Sequence, residues 1–217
     1  MRIKRRHLSL LITATLAQPL LLVTGSAAGE GIHDIGGSLP PLAFVMTDAR
    51  NGRTVTAADF HGQVVLLYFG YTFCPDVCPT TIANLAAALD RLGPDADRAR
   101  ILFVTVDPDR DNLAVLQGYA ALFSPRVTAL RGTADELTAL ARRYRVVYSA
   151  GRATPDRPYE VIHSAAVYVF DATGAARLLI AAMDSPSPDV AGTAGAIRDI
   201  IERQQGSGLL ARLLGAL

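Results

Sequence analysis

The chain has 217 residues, 50% of them hydrophobic and 19% charged, which is enough apolar material for one sizeable core. Its 21 Lys and Arg against 20 Asp and Glu leave a formal charge of +1, and no internal stretch is strongly basic. That balance argues against a nucleic-acid partner.

The first 31 residues differ from the rest. Met1-Arg2-Ile3-Lys4-Arg5-Arg6-His7 is basic, residues 8–23 are mostly apolar, and Ser26-Ala27-Ala28 puts small residues before Gly29. This reads as a secretory signal peptide. An uncleaved membrane anchor is the competing reading, because an apolar run of about 16 residues falls only slightly short of the roughly 17–25 that span a bilayer. Either reading exports the remainder. Residues 32–205 are then the folded domain, with 32–43 as a Gly- and Pro-containing lead-in, and 206–217 an apolar tail released by Gly206-Ser207-Gly208.

Residues 44–48 read as a short strand closed by the turn Asn51-Gly52. Val64-Val65-Leu66-Leu67-Tyr68-Phe69 is a continuous run of strand formers and predicts a strand buried on both faces. Ile82, Leu85, Ala86, Leu89 and Leu92 then recur at helical spacing up to Gly93-Pro94. Residues 101–106 predict a second buried strand. Asp111 is placed to cap a helix reaching Phe123, residues 127–130 form a short strand, and Thr133 with Glu136 has the spacing of a capping box for a helix reaching Tyr144. Residues 146–148 are strand-like, and residues 152–158 are a polar loop. Residues 165–170 and 177–183 form a hairpin around Asp171-Ala172-Thr173-Gly174, and residues 190–204 form a last helix. Alternating strands and helices followed by a hairpin and a helix predict an α/β thioredoxin-like fold, a central mixed sheet flanked by helices.

Both cysteines of the chain, Cys74 and Cys78, lie between the end of the first buried strand and the following helix, in Phe69-Gly70-Tyr71-Thr72-Phe73-Cys74-Pro75-Asp76-Val77-Cys78-Pro79. In open α/β sheets this edge is where sites are built. Pro79 suits the first helical position, which puts Cys78 at the helix entrance, where the dipole favours a thiolate and lowers its pKa. Two thiolates this close can converge on one soft metal ion or on each other. Thiol oxidoreductases of the thioredoxin type carry two residues between their cysteines, and this chain carries three, which makes chelation more attractive. A purely structural disulfide closing so small a loop would contribute little.

Among the four histidines, His7 falls in the export segment, His33 in the lead-in and His61 in a surface turn. His163 stands where a polar loop enters the strand at 165–170, beside the cysteine loop in a thioredoxin-like sheet. By position alone, a histidine at a strand start is more often structural than a ligand.

Three segments together resemble the SCO/SenC family of copper-binding, thioredoxin-fold proteins. They are the cysteine loop quoted above, Val106-Asp107-Pro108-Asp109-Arg110-Asp111, and His163-Ser164 followed by a strand and Asp171; the likeness runs from about Gly36 to Gln204. The resemblance implies that Cys74, Cys78 and His163 bind copper, as Cu(I) or Cu(II). It also implies a place at the outer face of a bacterial inner membrane or in the mitochondrial inner membrane, and delivery of copper to cytochrome c oxidase, above all to subunit II. A protein that donates the copper is then a second partner. Asp76, Asp107 and Asp111 become candidates for supporting the ligands or docking a partner, beside the plainer reading as turn and cap residues. The sequence departs from the family at Ile162, where Asp often precedes the histidine; losing a group that orients a ligand commonly costs about 10–100-fold in metal affinity.

The donor set agrees with copper on its own chemistry. Thiolates favour Cu(I) and imidazole accepts either copper state, whereas a structural zinc site would call for a fourth ligand. The expected function is a copper metallochaperone of the periplasm. The alternative is a thiol–disulfide reductase using Cys74 and Cys78 to keep the cysteines of an oxidase subunit or another copper protein reduced. A peroxidase ranks third, because no separate resolving pattern is present.

Overall fold

The computed structural model describes residues 31–150 and 161–214. The export segment and the polar loop at 152–158 lie outside the described residues.

Two strands form the centre. β4 (Val64–Gly70) is buried at every position, and β5 (Ala99–Thr105) at all but one. They pair in parallel, with Gly70 opposite Thr105, and β6 (Val127–Arg131) continues the parallel set beside β5. Continuous Val, Leu, Ile and Phe runs suit strands covered on both faces, where alternation would put polar groups into the core. β9 (Val167–Phe170) lies antiparallel on the other side of β4, with Val167 opposite Tyr68. β10 (Ala176–Ile180) returns beside β9, and β1 (Ile32–Asp34) closes that edge, Ile32 facing Ile180. At the far edge stand β2 (Val45–Asp48) and β3 (Thr54–Thr56), giving an eight-stranded order β1-β10-β9-β4-β5-β6-β2-β3. A separate antiparallel pair joins β7 (Tyr148–Ala150) to β8 (Val161–His163).

The helices α1 (Val77–Asp90) and α4 (Val190–Leu214) pack against each other near β4, while α2 (Leu113–Ala121) lies against β6. Helix α3 (Ala134–Arg143) opens with the expected capping box of Thr133 and Glu136. The mixed sheet flanked by helices is the predicted architecture.

Several local expectations are corrected. The lead-in is not a free linker, because β1 joins the sheet and Leu42 is buried, with the Pro41 carbonyl accepting from the Tyr144 hydroxyl at 3.0 Å. The cap of α2 is Asn112, whose side chain accepts from the Val115 amide at 3.0 Å; Asp111 is turned inward. Helix α1 begins at Val77, so Cys78 is its second residue and Pro79 its third. The backbone of α4 continues through Gly206-Ser207-Gly208 to Leu214 rather than ending there. Glycine lowers helix propensity by only about 1 kcal/mol, which the flanking residues outweigh.

Candidate metal centre

The site grows from the carboxyl end of β4. Gly70 ends the strand, its carbonyl accepts from the Val106 amide at 2.8 Å, and the chain turns through residues 71–76 into α1. That single bond holds the start of the cysteine loop against the loop that follows β5.

Asp111 fastens the two loops together. Its fully buried carboxylate accepts from the Thr72 amide at 3.1 Å, from the Thr72 hydroxyl at 2.5 Å and from the Thr105 hydroxyl at 2.6 Å. Thr105 in turn accepts from the Asp107 amide at 3.0 Å. The Asp107 carboxylate, also buried, pairs with Arg110, whose guanidinium lies 5.7 Å from the Tyr71 ring and 5.0 Å from the Phe73 ring. Asp107 and Asp111 therefore act on the loop through Arg110 and Thr72. Asp76, by contrast, is exposed at the head of α1, its carboxylate 3.4 Å from the Thr80 hydroxyl.

Within this frame the two sulfurs meet. Neither cysteine is in a disulfide; Cys78 is fully buried and Cys74 partly exposed. The Cys78 amide donates to Cys74 Sγ at 3.4 Å, so the helix N-terminus serves Cys74. The Cys78 thiol is pushed well above its ordinary value, first by its contact with Cys74 and then by burial, against the opposing pull of the Tyr71 amide. This corrects the expectation of a lowered pKa at Cys78. The helix end is outweighed by a neighbouring sulfur and by lost solvation. The pair thus holds a proton on Cys78 beside Cys74, the more accessible sulfur.

Two further residues shape the site and were not singled out from sequence. Tyr68 of β4 is fully buried beside Cys78 and Thr81; burial, then the nearby Cys78 sulfur, keeps its hydroxyl protonated. Gly70 leaves room for the sulfur, since a Cβ there would stand 3.0 Å from Cys78 Sγ and 2.6 Å from the Phe103 ring. The signal for both was present: Tyr68 and Gly70 are two apart on one strand and so share a face.

Among the described residues, no group of three or more Cys, His, Asp or Glu is gathered for a metal. The side chain of His163 lies outside the described residues, as does that of Ile162. The backbone nonetheless carries His163 at the end of β8, opposite Tyr148, and four residues later the chain enters β9 at Val167, the partner of Tyr68. The chain following His163 therefore reaches the sheet at the edge that bears the cysteine loop. His33 and His61 are exposed, as their positions predicted. No helix among the described residues is long and apolar enough to cross a membrane.

A parallel-centred mixed sheet with two neighbouring thiols at the entrance of the helix after its central strand defines a thioredoxin-like protein with a paired-cysteine site. The SCO1/SenC family model matches residues 41–198, and the chain belongs to that family. It is 43% identical over 133 residues to the mitochondrial SCO2 homolog of Bos taurus, covering 60% of this chain and 50% of the relative. With the human mitochondrial SCO1 homolog it shares 37% over 150 residues, covering 67% and 48%. The chain thus spans about half the length of these curated relatives. Among solved structures, ScoI of Bradyrhizobium japonicum with copper bound matches with a TM-score of 0.62 and 32% identity, covering 75% of this chain and 98% of that one. ScoI of Arabidopsis thaliana with copper bound matches with a TM-score of 0.65 and 30% identity, covering 78% and 99%.

Proposed function

We propose that this chain is a copper metallochaperone. It takes one copper ion through Cys74, Cys78 and His163 and passes it to the copper centre of a cytochrome c oxidase, with subunit II or another copper-receiving subunit as acceptor. Copper is the cargo here, supplied by a donor protein. The work is done outside the cytoplasm, in the periplasm or at the outer face of a bacterial inner membrane, in keeping with the basic and apolar N-terminal segment.

One observation carries this reading: two thiols in contact, one fully buried and one half-exposed, at a helix entrance. Two soft donors suit Cu(I). The buried sulfur fixes the ion, and the half-exposed one leaves a side from which an incoming ligand can replace it. Because the fold favours the protonated Cys78, copper must displace that proton on binding, so affinity rises with pH.

The test is copper loading under reducing conditions, read as metal per chain by elemental analysis. The native chain should bind one copper, and His163→Ala should bind weakly or lose its Cu(II) absorption. Unchanged loading in that variant would remove His163 from the site.

The same contact supports a second reading, a thiol–disulfide reductase. Cys74 as thiolate would attack a substrate disulfide, and Cys78 would then resolve the mixed disulfide. The products are a reduced substrate dithiol and a Cys74–Cys78 disulfide, two electrons and two protons having passed to the substrate. Rapid reduction of a disulfide substrate by copper-free protein would put this reading first.

A further inference from the structure

Beneath the buried sulfur the core is polar where plain packing would not require it. Tyr68 and Gly70 are two apart on β4 and share one face of the sheet. A Cβ at Gly70 would stand 3.0 Å from Cys78 Sγ, so that face looks onto the buried cysteine. The Tyr68 ring is fully buried and leans on Phe103, with ring centroids 6.2 Å apart. On α1, Thr81 follows Cys78 by three residues, lies on the same side of the helix and is also fully buried. The hydroxyl oxygens of Tyr68 and Thr81 are both sealed from solvent. Three groups able to hydrogen-bond, on Tyr68, Cys78 and Thr81, thus meet inside the apolar core.

Packing alone does not account for the Tyr68 hydroxyl. Phe69 and Phe103 fill core positions without one, and a buried hydroxyl costs stability unless something uses it. Contact with Cys74 and burial hold the Cys78 thiol up, while Tyr68 pulls it down. Burial and then Cys78 hold the Tyr68 hydroxyl up, while Thr81 pulls it down. A hydroxyl that lowers its neighbour in this way is donating to the neighbour's ionised form, so donation runs from Thr81 to Tyr68 and from Tyr68 to Cys78.

Given copper binding at Cys74 and Cys78, the reading on which this rests, we propose that Tyr68 is a positioning residue of the metal centre. Its hydroxyl donates to the Cys78 sulfur once copper has displaced the thiol proton to solvent. The Thr81 hydroxyl, donating to the Tyr68 oxygen, holds it in line. A thiol sulfur is a weak acceptor and a thiolate a strong one, so this bond favours the copper-bound state over the empty one. It also fixes where the sulfur stands, as groups behind metal ligands commonly do. A disulfide sulfur accepts poorly, so in the copper-free protein the same hydroxyl favours the dithiol.

The test compares the full native chain with Tyr68→Phe, Thr81→Val and the double variant, which remove hydroxyls and keep the ring and the branched shape. In competition with a Cu(I) chelator, Tyr68→Phe should bind copper about tenfold more weakly, the scale of losing a group that orients a ligand. The sulfur-to-copper absorption of its Cu(II) form should move to longer wavelength, because a sulfur without the bond gives up an electron more readily. In the copper-free protein, the equilibrium with glutathione should shift about threefold toward the Cys74–Cys78 disulfide. Thr81→Val should move all three the same way by less, and should add nothing in the Tyr68→Phe background. Native values of all three in Tyr68→Phe would overturn the proposal, even beside a lower melting temperature, which lost packing alone would give. A Thr81→Val effect that persists undiminished in the Tyr68→Phe background would overturn the relay through Tyr68. If the native chain takes no copper, the function falls, and the glutathione equilibrium alone decides whether Tyr68 acts on Cys78.

Discussion

Asp111 accepts hydrogen bonds from both the amide and the hydroxyl of Thr72, two residues before Cys74, and from Thr105 on the neighbouring strand. A carboxylate expected to cap a helix instead pins the cysteine loop to the sheet. Asp111→Ala leaves the buried Thr105 hydroxyl and the part-buried Thr72 amide and hydroxyl without this acceptor, at a cost of about 2–4 kcal/mol. Urea unfolding of the metal-free protein should show it; a loss under about 0.5 kcal/mol would mean that the loop does not depend on this anchor.

Gly70 is fixed by sterics. In Gly70→Ala the new methyl meets the Phe103 ring and Cys78 Sγ, both fully buried and unable to retreat. Overpacking of this kind costs about 1–3 kcal/mol. Competition with a Cu(I) chelator should show weaker copper binding as the sulfur is displaced, whereas native affinity would show that the sulfur relaxes freely.

The two thiols should react unequally. Cys74 is partly exposed and receives the Cys78 amide, while Cys78 is buried with its thiol held protonated. Brief iodoacetamide treatment of the copper-free protein, followed by peptide mass spectrometry, should modify Cys74 first. Preferential modification of Cys78 would reverse the assignment of the outer sulfur.

At the hairpin, the Asp171 carboxyl loses solvation, but hydrogen bonds from Thr173, Arg177 and Ala175 outweigh that loss and hold it below its ordinary value of 3.8. A carboxylate depressed by folding contributes stability that is complete above its unfolded pKa and is lost as pH falls through its folded value. Stability should therefore decline below about pH 4 in the native protein. In Asp171→Asn that part of the decline should be missing, as read by thermal unfolding at stepped pH; an unchanged acid limb would assign the loss elsewhere.

The buried strands, the capping box of α3 and the cysteine loop were legible because each is dictated locally: unbroken apolar runs, a Thr-to-Glu spacing, and two thiols at a strand-to-helix turn. What escaped was decided by distant partners. Residues 32–34 contain one apolar side chain and become a strand only because β10 offers an edge. Asp111 and Asn112 are both good caps in sequence, and the choice falls to Asn112 because Thr72, 39 residues before Asp111, claims the carboxylate. Likewise the raised pKa of Cys78 follows from contact with Cys74 and then from burial, which a helix-dipole argument alone does not contain.

The central claim is a copper ion held by two sulfurs and one imidazole nitrogen. X-ray absorption at the copper K-edge of the Cu(I)-loaded chain measures that shell directly. The account predicts two sulfurs and one nitrogen per copper, with the nitrogen lost in His163→Ala. A shell of sulfur alone in the native protein, or one that His163→Ala leaves unaltered, would contradict it.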